Sequence, residues 1–171
     1  MWNNLPWATA KFQEMPRFSG LDRAAVLHAA FPNLHVVHMT RRDRVRQAVS
    51  WARMAQDGVW VVSDDEPARP SATPQYDFDL ISDLEALIVE GELGWRDLFD
   101  ELGLVPLEVV YEDVVADGGL ERAVLGVLDH LGLDGRGVDI PRPRTHRQSD
   151  DLNEAWVARY TDERAEALGT A

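Results

Sequence analysis

Four arginines and a serine are gathered in the stretch Leu34 to Gln56, LHVVHMTRRDRVRQAVSWARMAQ. Arg41, Arg42, Arg44 and Arg46 lie between a short apolar run and a segment of helical period, and Ser50 follows on the second turn of that segment. A strand that feeds a helix leaves the first N–H groups of the helix pointing outward, where anions bind readily. Arginine adds a rigid planar fork that matches phosphate oxygens. The chemistry open to this stretch is therefore phosphate binding; the alternative is a solvated basic helix face.

Other chemistries find less support. The histidines (His28, His35, His38, His130, His146) are scattered, and His35 and His38 fall on opposite faces of a strand, a poor metal pair. Asp64, Asp65 and Glu66 could chelate Mg²⁺, but an acidic, proline-bearing loop is usually only solvated. No metal site is expected. Serine hydrolase signatures are absent, and no Gly-rich turn stands ahead of a helix.

The chain that must position these residues has 171 of them, enough for one domain with a proper core. Without cysteine, disulfide and thiolate chemistry are excluded. No apolar run approaches the length of a membrane span and the start has no signal-peptide pattern, so a cytoplasmic location is expected. A net charge of −13 argues against a nucleic-acid binder. The charge is unevenly spread: +5 over residues 1–53, −17 over 54–140 and −1 over 141–171. A basic island in an acidic protein suits a small anionic ligand better than a long polyanion.

Residues 1–20, with prolines and no sustained period, read as irregular. Leu21 to Phe31 reads as a short helix with Leu21, Ala24, Ala25 and His28 along one face, stopped by Pro32 and Asn33. A strand from Leu34 to Met39 follows, then a helix from about Asp43 to Gln56 with Val45, Ala48, Val49 and Ala52 inward. After Gly58 comes a long proline-bearing loop, read as a mobile surface loop or a lid. Phe78 to Leu102 is the longest helix, with Leu80, Ile81, Leu84, Leu87, Ile88, Trp95, Leu98 and Leu102 at helical spacing and Gly103 as its end. Leu107 to Tyr111 is a second apolar strand of the parallel-sheet kind, Leu120 to Leu131 an amphipathic helix, and Asp151 to Leu168 a final helix after a basic tail. Strands alternating with helices imply an α/β fold with a parallel sheet, yet only two strands are legible.

Three motifs in order carry a resemblance: TRRDRVRQAVS; VVYEDVV from Val109 to Val115, followed by the LGL of Leu131 to Leu133; and the tail RPRTHRQSDD. Together they resemble the sulfotransferases that use 3′-phosphoadenosine 5′-phosphosulfate (PAPS). Within these the chain looks most like the mycobacterial trehalose 2-sulfotransferase family, through MWNN, GELGWRDLF and RQSDDLNEAWVARY. The resemblance covers nearly the whole chain and implies an incomplete P-loop-like parallel sheet flanked by helices.

It further implies that an arginine at the strand end and a serine on the following helix hold the cofactor's 3′-phosphate, which nominates Arg41 and Ser50. A spacing shorter by one residue would nominate Arg42 instead. Arg147 resembles a late basic loop that reaches over the nucleotide. For Ser50 the alternative is a helix serine bonded back to a carbonyl, and for Arg41 and Arg147 a surface arginine. Trp51 and Trp60 match aromatic positions that would wall the pocket or pack on a neighbouring helix. Tyr111, Glu112 and Asp113 read as a strand end with acids favoured near a helix start.

The chain departs from the family pattern in two respects. It has no serine/glycine-rich loop for the 5′-phosphosulfate and no identifiable catalytic carboxylate, so the catalytic residues are unassigned. The expectation is that residues 1–171 are the C-terminal portion of a single sulfotransferase domain, from a truncated gene product, a misplaced start codon or a split protein, weak or inactive alone. The implied partners are the nucleotide donor and a sugar acceptor, with no nucleic acid and no membrane; a homodimer is compatible with the resemblance. The rivals are a non-catalytic 3′-phosphate-binding module and a helical interaction domain.

Overall fold

The structure, a computed structural model, describes residues 5–59, 72–143 and 151–169. The readings for Trp60, Asp64, Asp65, Glu66, His146 and Arg147 lie outside the described residues. The chain forms two compact units, Met1–Thr40 with Val89–Val138 and Arg41–Ile88 with Asp139–Ala171.

The first unit holds the sheet. Strands β1 (Val37–Thr40) and β2 (Leu107–Val110) pair in parallel, with Val37 opposite Leu107 and Thr40 opposite Val110. The fold class is α/β, as expected, and the sheet has two strands among the described residues. Helix α4 (Phe78–Leu102) keeps the bounds read from its period, because Leu98 and Leu102 are buried with Leu27 of α2 (Arg23–Ala30). Gly103 adopts φ 63°, a left-handed turn that glycine takes without strain, and the Leu104 N–H then bonds back to the Phe99 carbonyl at 2.9 Å. On the sheet, His38 packs edge-on against Phe99 at 5.2 Å, and its Nδ1 lies 2.9 Å from Glu108.

Several boundaries differ from the sequence reading. Residues 1–20 are not irregular throughout: α1 (Leu5–Gln13) is a helix and Pro16–Phe18 a 3₁₀ turn. Pro6 falls in the first turn, where a missing N–H breaks no helical bond. Phe12 makes edge-on contacts with Phe18 at 5.5 Å and Phe31 at 5.9 Å, tertiary contacts that a weak local period does not reveal. In α2 the buried residues are Val26 and Leu27, and His28 is exposed, so the inward face is displaced from the one expected. His35 precedes the strand and meets the His130 ring edge-on at 5.4 Å. Tyr111–Val114 leaves the strand to form a single helical turn, α5, with Glu112 and Asp113 in it. Helix α6 (Gly119–His130) follows, and a cleft of about 220 Å³ lies between β2, α5 and α6.

The second unit packs α3 (Arg44–Asp57), the start of α4 and α7 (Asp151–Ala167) around one core. Ala48, Val49 and Ala52 are fully buried against Ile81, Leu84, Ile88, Trp156 and Tyr160, with Val45 alongside, which is the expected inward stripe of α3. Small residues on α3 let the aromatic rings of α7 approach closely. A hydrogen bond and an ion pair join α7 to the start of α4: the Tyr160 hydroxyl donates to Glu85 at 2.9 Å, and Arg164 donates to the same carboxylate at 2.7 Å. No described helix is long and apolar enough to cross a membrane.

Candidate functional site

The candidate residues that the structure describes, Arg41 and Ser50, both belong to the second unit. Arg41 is the first residue after β1, three positions ahead of α3. It is half-buried with its Nε shielded from solvent, whereas Arg42 is exposed. The two arginines between which the spacing could not choose therefore sit in different surroundings.

Asp43 caps α3. Its Oδ1 accepts the Arg46 N–H at 2.8 Å, as a helix N-cap does, and its Oδ2 accepts the Arg46 Nε–H at 3.1 Å. A protein carboxylate thus already faces one of the outward N–H groups at the helix start.

Arg46 is committed elsewhere. Its Nη1 donates to Glu154 on the first turn of α7. Hydrogen bonds to Glu154 and then to Asp43 raise its pKa above the ordinary arginine value. Of the four arginines of the turn, Arg46 is a structural tie between helices. The Asp43-to-Arg46 half was legible as an acid three residues ahead of a base. Glu154 was not, because it lies 108 residues along the chain.

Ser50 is half-buried, and its hydroxyl makes no hydrogen bond to a described residue. Helix hydroxyls elsewhere do bond back: Thr9 to the Leu5 carbonyl at 3.0 Å and Thr161 to the Val157 carbonyl at 2.8 Å. Ser50 lies seven residues beyond Asp43, about two turns or 10 Å along the axis. It shares that stripe with Arg46 and Gln47. Trp51 is 37% exposed and stands outside the core cluster, so it is not one of the core's packing residues.

Among the described residues, no group of three or more His, Asp or Glu is placed to hold a metal ion. The cleft of the first unit is lined by Glu108, Asp113, Arg122 and apolar side chains of β2, α5 and α6.

A family model described as Stf0 sulphotransferase matches residues 1–163. The chain is 32% identical over 161 residues to the trehalose 2-sulfotransferase of Mycolicibacterium smegmatis, an alignment covering 94% of this chain and 58% of that protein. It is 34% identical over 168 residues to the trehalose 2-sulfotransferase of Mycobacterium tuberculosis, covering 98% of this chain and 60% of that protein. The chain spans about three-fifths of the length of these curated relatives.

Proposed function

The chain belongs to the Stf0 sulphotransferase family, and from that premise we propose that Arg41 and Ser50 bind the 3′-phosphate of PAPS for sulfuryl transfer to a carbohydrate hydroxyl. In that reaction the acceptor hydroxyl gives its proton to a base, its oxygen bonds to sulfur, the bond from sulfur to the 5′-phosphate oxygen breaks, and adenosine 3′,5′-bisphosphate leaves. The observation that carries the reading is the Ser50 hydroxyl, half-buried on α3 with no hydrogen bond to a described residue. A hydroxyl donor and a half-buried guanidinium fit a phosphate that accepts from both. The names of the relatives support a trehalose-like acceptor.

Arg147 is part of the same proposal, as a basic residue reaching over the nucleotide. So is weak or absent turnover by the 171 residues alone. Sulfuryl transfer needs donors to the transferring group and a base for the acceptor hydroxyl, and the sequence offers no serine/glycine-rich loop for the first. The second reading is a 3′-phosphate-binding module without catalysis.

Calorimetric titration with adenosine 3′,5′-bisphosphate tests the binding claim. Saturable binding that Arg41→Ala reduces by roughly tenfold or more, the worth of one charge-assisted hydrogen bond, supports it. Equal binding by Arg41→Ala together with loss in Arg42→Ala would move the site by one residue. A sulfotransferase assay of the same chain separates the two readings: robust turnover removes both the module and the weak-enzyme claim.

A further inference from the structure

We infer that Glu154 is a positioning residue for the 3′-phosphate site, acting through Arg46 and Asp43 on the turn that carries Arg41. The inference rests on the function proposed above.

Three charged side chains stand in series. Glu154, on the first turn of α7, accepts from Arg46 Nη1. The other side of that guanidinium, Nε, donates to Asp43 at 3.1 Å, and the same carboxylate caps α3 through the Arg46 N–H at 2.8 Å. Asp43 lies two residues after Arg41, so the direction in which the chain enters the helix, and with it the aim of Arg41, is set where this series ends. The series also engages Arg46 at both Nε and Nη1, on the helical stripe that Ser50 occupies four residues on.

Plain electrostatics and positioning predict opposite signs. A carboxylate near a phosphate site repels the ligand, and freeing Arg46 would add a cation, so on charge alone loss of Glu154 tightens nucleotide binding. Positioning predicts weaker binding, because the cap turn loosens and Arg41 loses its alignment. Global stability should scarcely move: the Glu154 side chain is 50% exposed, and such pairs contribute little.

The test is titration of the 171-residue chain with adenosine 3′,5′-bisphosphate, beside thermal unfolding, for wild type, Glu154→Gln, Arg46→Ala and the double variant. The expected result is about tenfold weaker binding by Glu154→Gln, comparable to one misaligned charge-assisted hydrogen bond, with a nearly unchanged unfolding midpoint. The double variant should bind no more weakly than Arg46→Ala, since the two residues act in series. Should Glu154→Gln unfold, Asp43→Asn serves instead; Asn caps a helix as Asp does, and a weakening of a few-fold is expected from the lost ionic tie alone. Unchanged or tighter binding by the folded variant, or additive losses, overturns the inference. If wild type binds and Arg41→Ala does not while Glu154→Gln matches wild type, this inference alone falls. If wild type binds no nucleotide, it falls together with the proposed function.

Discussion

The side-chain amide of Gln56 reads the backbone of Gln75 at both of its ends. Its Nε2 donates to the Gln75 carbonyl oxygen at 2.9 Å, and its Oε1 accepts the Gln75 N–H at 2.7 Å. The amide thereby imitates one rung of a β-ladder, and it joins the last turn of α3 to the approach to α4. Gln56→Ala removes both bonds, but the groups left behind are exposed and regain water. A loss of about 1 kcal/mol is expected by chemical denaturation.

Ser50→Ala offers a sharper contrast. The hydroxyl has no described partner, so its removal should leave the unfolding midpoint within a degree or two while weakening adenosine 3′,5′-bisphosphate binding by roughly tenfold. A large fall in stability with binding unchanged would return Ser50 to a packing role.

Two glycines of one helix should respond in opposite directions. A Cβ on Gly119 would lie 1.9 Å from the Asp113 carbonyl oxygen and 2.7 Å from that of Val114, both backbone atoms of α5 that cannot rotate away. Gly119→Ala should cost about 1–3 kcal/mol or more. A Cβ on Gly126 meets nothing within 4 Å, so Gly126→Ala should gain roughly 0.5–1 kcal/mol from helix propensity. Thermal unfolding of the two variants decides it.

Tyr76 makes stability depend on alkaline pH. Its phenol donates to Glu163 at 2.7 Å under the guanidinium of Arg159, which lies 3.8 Å from the ring centre. Burial first, then the hydrogen bond to Glu163, push its pKa up. A raised folded value means that the neutral phenol is favoured by folding. That stabilisation is complete below the unfolded value near 10 and is lost as pH rises toward the folded one. Unfolding midpoints measured from pH 8 to 11.5 should fall more steeply in wild type than in Tyr76→Phe; parallel curves would show that the phenol does not contribute.

Legibility in the sequence followed the range of the interactions. The inward stripe of α3 and both ends of α4 were readable because a sustained period of 3.6 records burial directly. Helix α1 was not, since its evidence is the Phe12 contacts with Phe18 and Phe31 and not a local period. The displaced face of α2 shows the same limit: on a helix of eight residues, alanines at helical spacing outvoted Val26 and Leu27, which the fold buries. Of the proposed site, Arg41 and Ser50 were nominated by motif order. The commitment of Arg46 to Glu154 could not be, because nothing in one sequence links positions so far apart.

The pairing of β1 with β2 also bears on how the chain is made. His38 and Glu108 are 70 residues apart, and the segments of the two units interleave, so neither unit is a continuous stretch of chain. Closing so long a loop carries an entropic cost before any rung of the sheet repays it, and such topologies fold slowly. As the chain leaves the ribosome, the sheet must wait for Val110. The fully buried face of α3 must wait longer, for Trp156 and Tyr160 of α7. Until then Ala48, Val49 and Ile81 have only Tyr76 and Phe78 as aromatic cover, without the two buried rings of α7, and that interval is when a chaperone would be needed most.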